Sequence, residues 1–356
     1  MDRRKFISSA SIAGLAGLTA LNAKPYEDLQ DKIFAQNKTS SATEYIIPKS
    51  LEKGDRIAIT APATHASIWS IRHAINYFKK LGLKVDIGDT VKNHESKYHY
   101  LSASDQQRTD EFMTFIERDD VKAIVSARGG YGTMRILPDL DYTMIKTHPK
   151  IIMGFSDITA MLIAITNKSQ LVTYHGPVAA STYNSFTDRY LKYALIKNYS
   201  SKNILYTSPA LVTMSPGSAT GKLVGGNLAM VAATIGTPYE IETRNSIFFF
   251  EDVSEEPYQL DRILTQLLLA GKLQQCSGIL IGPFKRLNKR YNFFPGSSFT
   301  IKQVLENRLK PLGIPILYGF PIGHRENKMT IPLGIPAEMD ADKKTFRTMT
   351  PSVNSL

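Results

Sequence analysis

Residues 151–168, IIMGFSDITAMLIAITNK, decide the fold. The run Ile151–Phe155 is short, apolar and β-branched at its start, which predicts a buried strand. From Asp157 to Lys168 the apolar residues Met161, Leu162 and Ile165 recur at helical spacing. A strand that passes into a helix within two residues leaves Ser156 on a sharp turn. There its hydroxyl is exposed, and the amide after it is free to bind an oxyanion at a helix N-terminus. Gly154 suits the tightness of the turn. The second glycine of a GxSxG elbow is absent, because Ile158 stands there. Ser is also a favoured helix N-cap, and the turn alone does not choose between the two roles.

Strand–helix alternation continues on both sides. RIAITAPA (56–63) reads as a strand, 67–82 as a helix closed by Gly82, KVDIGD (84–89) as a weaker strand, and 103–118 as a helix capped by Ser102 or Ser104. AIVSA (123–127) and LVTYHG (171–176) are further strands, and a helix follows near 185–198. This predicts a parallel α/β sheet. Residues 206–219 are rich in Ser, Thr, Pro and Gly and read as a linker. Strand–helix pairs then resume at GKLVGGN, IFFFEDV, GILIGPF and ILYGFPIG, ahead of a β-like tail. The expectation is an N-terminal α/β domain over 46–205 and a C-terminal α/β domain over 220–350 with a partly antiparallel end.

With 356 residues, 43% of them hydrophobic, the chain can bury a sizeable core. The net charge of +11 is diffuse; the tight basic pairs are 79–80, 285–286 and 289–290. No nucleic-acid-binding pattern is present, so a nucleic-acid partner is not expected. The single cysteine, Cys276, excludes an intrachain disulfide and reads as a core residue. His65, His73, His94, His99, His148 and His175 lack metal-ligand spacing, so neither a metal nor another cofactor is expected. His175 closes a strand and either lines a pocket or packs there.

Residues 1–23, MDRRKFISSASIAGLAGLTALNA, have a basic start, an apolar stretch and small residues at the end, as signal peptides do. Arg3-Arg4-Lys5 resembles a twin-arginine signal. The apolar run is short for a membrane span, and no cysteine follows it to take a lipid, so no stable membrane anchor is expected. Residues 24–45 read as a flexible mature N-terminus. The expected location is outside the inner membrane, in the periplasm, or the cytoplasm if the signal is not functional.

Two more polar residues stand at the ends of apolar runs. Glu251 follows three phenylalanines in SIFFFEDV, where a carboxylate is costly unless paired. Asp252 adjoins it and is an alternative acid. His324 ends GFPIGH. Ser, carboxylate and His together are the parts of a nucleophilic hydrolase, in which imidazole takes the hydroxyl proton and the carboxylate orients the imidazole. The loop Arg128-Gly129-Gly130-Tyr131-Gly132 follows the preceding strand, and its amides are candidate oxyanion donors or simply a tight turn.

Taken together, GDRIAITAPA, ARGGYGTMRILPDLDY, IIMGFSDITAM, TYHGP, GKLVGGNLAMVAATIGTPYE, FFFEDVSEEPYQLDR, GILIGPF, YGFPIGH and TIPLGIPAEMD resemble the LD-carboxypeptidases, serine peptidases of the muramoyltetrapeptide carboxypeptidase type. The resemblance runs from about residue 50 to 345. It implies two domains with a cleft between them. The nucleophile is then Ser156, the base His324 and its orienting acid Glu251, with oxyanion donors from the amides of Asp157 and Gly130. It further implies a homodimer, no cofactor, and removal of the terminal D-alanine from a murein tetrapeptide. A carboxypeptidase also needs a cation for the free carboxylate. Arg128, Arg262 and Arg325 are the candidates, and Tyr131 is a further substrate-binding candidate. A branch of the family hydrolyses peptide-nucleotide antibiotics, which is the alternative substrate. A non-catalytic wall-binding relative is the competing class.

Overall fold

The computed structural model describes residues 45–93, 99–199, 203–253, 255–284 and 299–354. The expected signal at 1–23, the mature N-terminus through residue 44 and the basic pairs at 285–286 and 289–290 lie outside them.

Strands β1 (Arg56–Thr60), β2 (Lys84–Ile87), β3 (Val121–Ser126), β4 (Ile151–Gly154) and β5 (Thr173–His175) form one parallel sheet. Its β1, β3 and β4 strands are rich in β-branched residues and largely buried, as a helix-covered parallel sheet requires, whereas β2 at the edge is partly exposed. The helices between them follow local rules. Ile68–Lys80 starts at an N-cap Ser67 and turns its Ile71, Ala74 and Phe78 inward. Asp105–Glu117 starts at Ser104, which with Gln107 makes a capping box. Of the two expected caps, Ser104 is the one used.

The second sheet contains β6 (Leu205–Thr207), β7 (Val212–Ser215), β8 (Ser218–Asn227), β9 (Ser246–Glu251), β10 (Gly278–Ile281) and β11 (Ile316–Tyr318). After β12 (Ile331–Leu333) it is completed by β13 (Pro336–Asp340) and β14 (Thr345–Thr348). Its order is β6-β14-β13-β8-β9-β10-β11-β7. The run β8 to β11 is parallel, and both flanks are antiparallel. The fold is thus two α/β lobes, the second with antiparallel ends.

Two features differ from the expected division. Residues 206–219 are not a bare linker; they supply β6, β7 and the start of β8. β6 and β7 are edge strands, where Ser, Thr, Pro and Gly are tolerated because one side of the backbone needs no ladder partner. Nor is the C-terminal half confined to its own lobe. β12 pairs antiparallel with β5 of the first sheet. Near the end of the chain, the Asn354 amide donates to Pro48 O at 2.8 Å and Ser352 O accepts the Tyr174 hydroxyl at 2.5 Å. From Tyr45 onward the described residues form one compact unit.

The carboxyl ends of parallel strands are where open α/β sheets place ligands. In the first lobe those ends are Thr60, Ser126, Gly154 and His175. In the second lobe β8 ends at Asn227 and β9 at Glu251, paired in register.

Candidate active site

Ser156 lies two residues past the end of β4, after Phe155, and precedes the helix Ile158–Ser169. Its backbone is left-handed, with φ +64°. A non-glycine residue held there costs about 1–2 kcal/mol, and such strain collects at functional turns. The helix holds the turn in place because it is buried nearly all round, from Ile158 through Thr166. Its Thr159 amide donates back to Ser156 O at 2.9 Å.

The glycine loop lies directly against this turn. A methyl group on Gly129 would stand 2.8 Å from Ser156 Cβ, 3.0 Å from its Oγ and 3.2 Å from the Asp157 nitrogen. Only a residue without a side chain lets the loop approach so near. The loop is pinned elsewhere as well: Tyr131 N–H donates to Thr64 Oγ1 at 3.0 Å, and that hydroxyl donates to Tyr100 O at 2.7 Å. Among the described residues, no hydrogen-bond acceptor engages the amides of Gly130 or Asp157.

Asp157 has a part that the sequence did not suggest. Its carboxylate accepts the Thr133 amide at 2.9 Å, while its carbonyl accepts the Thr133 hydroxyl at 2.6 Å. The residue so ties the serine turn to the short helix that follows the glycine loop. Burial raises its carboxyl, against the lowering effect of these bonds.

In the other lobe, Glu251 is fully buried at the end of β9. Its Oε2 is 2.8 Å from His324 Nδ1 and also accepts the His324 amide at 3.2 Å. Gly323 makes this approach possible: its φ is +80°, and a Cβ there would overlap the Glu251 carboxylate. Asn227 Nδ2 donates to the second oxygen, Oε1, at 3.3 Å. Burial by itself would raise the Glu251 carboxyl, but the hydrogen bonds from His324 and Asn227 and the pull of the His324 imidazole outweigh it and hold it below the usual range. An ionised carboxylate only accepts, so Nδ1 donates to it, and in the neutral tautomer this selects Nε2 is the acceptor.

Asp252, the alternative acid, does other work. It accepts the amides of Ala229 and Val253, each at 2.8 Å, and Asn227 Nδ2 at 3.0 Å. It thereby holds the start of the helix Leu228–Thr234. Burial pushes its carboxyl up to about 6.

Ser156 and His324 line one cavity of about 470 Å³, together with Arg128, Gly130, Phe155 and Lys328. The Phe155 ring packs edge-on against His324 at 4.9 Å between centroids. Of the expected carboxylate-binding cations, Arg128 faces this cavity. Arg262 lies over the Tyr258 ring, and Arg325 Nη2 donates to Phe284 O at 3.1 Å; neither lines it. Tyr131 is half exposed and packs edge-on against Tyr100. Lys328, nine-tenths buried on the cavity wall, is the cation that sequence reasoning missed. A single lysine in a loop carries no pattern that could have marked it.

His175 is 1% exposed and sits between Phe155 and Phe249. Neither ring nitrogen has a hydrogen-bond partner among the described residues. Burial drives its pKa down to about 4, so it is neutral at pH 7.

A strained serine turn, a backbone loop against it and a carboxylate-held imidazole form a constellation suited to acyl transfer at a hydrolase site. Family models for the LD-carboxypeptidase N-terminal and C-terminal domains match residues 57–176 and 220–339. The chain belongs to the LD-carboxypeptidase family and is a peptide hydrolase of the carboxypeptidase class. It is 39% identical over 305 residues to a probable murein peptide carboxypeptidase of Bacillus subtilis (strain 168), covering 84% of this chain and 92% of that one. It is 26% identical over 334 residues to the microcin C7 self-immunity protein MccF of Escherichia coli, covering 85% and 95%. A crystal structure of muramoyltetrapeptide carboxypeptidase from Oxalobacter formigenes matches with a TM-score of 0.71 at 28% identity, covering 82% of this chain and 97% of that one.

Proposed function

We propose that the chain is a serine LD-carboxypeptidase that removes the terminal D-alanine from a murein tetrapeptide, with Ser156 as nucleophile, His324 as base and Glu251 as its orienting acid. The observation that carries this reading is the 2.8 Å contact between Glu251 Oε2 and His324 Nδ1, beside a cavity shared by His324 and Ser156.

In this reading Nε2 of His324 takes the Ser156 proton as Oγ attacks the scissile carbonyl. The amides of Asp157 and Gly130 receive the oxyanion. His324 then protonates the departing amine, and water, activated by the same imidazole, releases the acyl group. The departing D-alanine carries its carboxylate one carbon from that amine. The cation that recognises it therefore belongs on the His324 side of the cavity. Lys328, four residues beyond His324, fits that place, and Arg128 is a second cation lining the same cavity. Export by the twin-arginine-like N-terminus goes with this assignment and places the reaction on the wall or on periplasmic fragments.

The test is to incubate the purified chain with murein tetrapeptide, following free D-alanine and the tetrapeptide-to-tripeptide mass change, with Ser156→Ala in parallel. Release by the unaltered chain alone supports the proposal. If a peptidyl nucleotide is cleaved and the tetrapeptide is not, the substrate is that of the immunity branch. If neither is cleaved and a serine-directed covalent probe leaves Ser156 unlabelled, the chain is a wall-binding relative.

A further inference from the structure

A second cavity of about 530 Å³ adjoins the one that holds Ser156 and His324. The two share the wall Ala180–Ser181–Thr182. This wall is fixed in place: the amides of Ala179 and Ala180 donate to Ser126 O and Ala127 O, both at 2.9 Å, at the end of β3. Beyond it the cavity opens along the outer face of the helix Ile68–Lys80, where His73, Asn76 and Lys80 line it. Tyr77 and Tyr183 lie stacked in its lining, 4.6 Å apart between centroids.

Charge gives the cavity its chemistry. Among the described residues no Asp or Glu lines either cavity, whereas Lys80 and His73 line the outer one and Arg128 and Lys328 the inner. Asp188, which accepts the Tyr77 hydroxyl at 2.8 Å, is paired with Lys192 at 2.9 Å. Lys80 makes no ion pair among the described residues. An uncompensated cation with amide and hydroxyl neighbours is suited to a carboxylate-bearing chain.

Direction follows from the reaction. An enzyme that removes one C-terminal residue has nothing further to hold on the leaving side. Any site that continues the groove must hold the acyl side. We propose that the cavity formed by His73, Asn76, Lys80 and the 180–184 segment is a second substrate subsite, which binds the carboxylate-bearing part of the peptide on the N-terminal side of the scissile bond. This rests on the carboxypeptidase reading above.

Trp69, the only tryptophan in the chain, is 75% exposed and adjoins Ser70, which lines the cavity. Its emission is read alongside direct binding. The experiment compares the full chain with Lys80→Ala and His73→Ala on two substrates: a complete murein tetrapeptide, and an acetyl-capped dipeptide that keeps only the diamino residue and D-alanine. In parallel, binding of the complete tetrapeptide to the Ser156→Ala chain, with and without Lys80→Ala, is followed by equilibrium dialysis and Trp69 emission. The expected result is a KM for the tetrapeptide raised about tenfold by Lys80→Ala, as loss of one charged hydrogen bond gives, with kcat and the dipeptide kinetics unchanged. Equal effects on both substrates, or none on either, overturn the subsite. If the unaltered chain cleaves neither substrate, the carboxypeptidase reading fails, and dialysis judges the subsite alone: about tenfold weaker binding on Lys80→Ala keeps it as an anionic-peptide site, and unchanged binding ends it.

Discussion

Glu251 Oε2 holds His324 by two bonds, one to ring Nδ1 at 2.8 Å and one to the backbone amide at 3.2 Å. The same carboxylate oxygen therefore fixes both the orientation of the imidazole and the path of the loop that carries it. Glu251→Gln keeps the shape but offers an amide that can donate as well as accept, so the ring loses its enforced tautomer. We expect kcat on the tetrapeptide to fall about ten-thousandfold, with the circular dichroism spectrum unchanged. Retention of more than a tenth of the activity would remove Glu251 from the mechanism.

Ser156→Ala should abolish turnover more fully, by a factor on the order of 10^5 or more. Alanine inherits the same left-handed backbone, so the melting temperature should stay close to that of the unaltered chain. Stopped-flow kinetics with purified tetrapeptide measure the first quantity and calorimetry the second.

Gly129→Ala tests the loop. The added methyl meets Ser156 Cβ at 2.8 Å and lies 3.2 Å from the Asp157 nitrogen. Loop and turn must move apart, which should lower stability by about 1–3 kcal/mol and kcat by about a hundredfold through loss of one oxyanion donor. Urea titration and kcat, measured on one preparation, should change together.

Lys328→Met keeps an unbranched side chain one atom shorter and removes its charge. If Lys328 receives the substrate carboxylate, kcat/KM on the tetrapeptide should fall between about ten- and a hundredfold. A substrate with an amidated C-terminus should be nearly insensitive to the change. Equal losses on both substrates would point to a packing role instead.

His175 and Asp252 give opposite pH dependences. The pKa of His175 is about 4 when folded, below its ordinary 6.5, so the unfolded chain takes up this proton first. Its contribution is full above pH 6.5 and is lost as the pH falls toward 4, by about 3 kcal/mol at most. Asp252 is at about 6 when folded, above its ordinary 3.8. It favours the folded chain increasingly as the pH falls from 6 toward 3.8. The two largely offset each other. His175→Leu should uncover the Asp252 effect, so that stability relative to the unaltered chain rises on acidification from pH 6.5 to 4. Chemical denaturation at half-unit pH steps reads this difference, and parallel curves would refute it.

Local signals made the serine turn legible. A β-branched strand, one glycine and a helical apolar repeat lie within 18 residues, and each obeys a rule that needs no distant partner. Glu251 and His324 were legible because polar groups at the ends of apolar strands demand a reason. The choice between Glu251 and Asp252 was not, since adjacent residues on a strand end differ only in which way they face. The return of β12 to the first sheet was illegible for a similar reason. MTIPLG reads as a strand, but nothing in its own residues names β5 as its neighbour. Lys328 and the lining by His73 and Lys80 became visible only once a helix and loops far apart in sequence met around the two cavities.

The segment from β11 to β12 leaves one sheet, passes through His324 and Lys328, and joins the other. Ser156 thus stands at the end of a strand of the first sheet and Glu251 at the end of one of the second, with His324 on the strap that crosses between them. A chain in which either lobe has formed alone holds half a catalyst. Hydrolytic competence then becomes a property of the completed molecule, and partial denaturation should silence the enzyme before the sheets themselves melt.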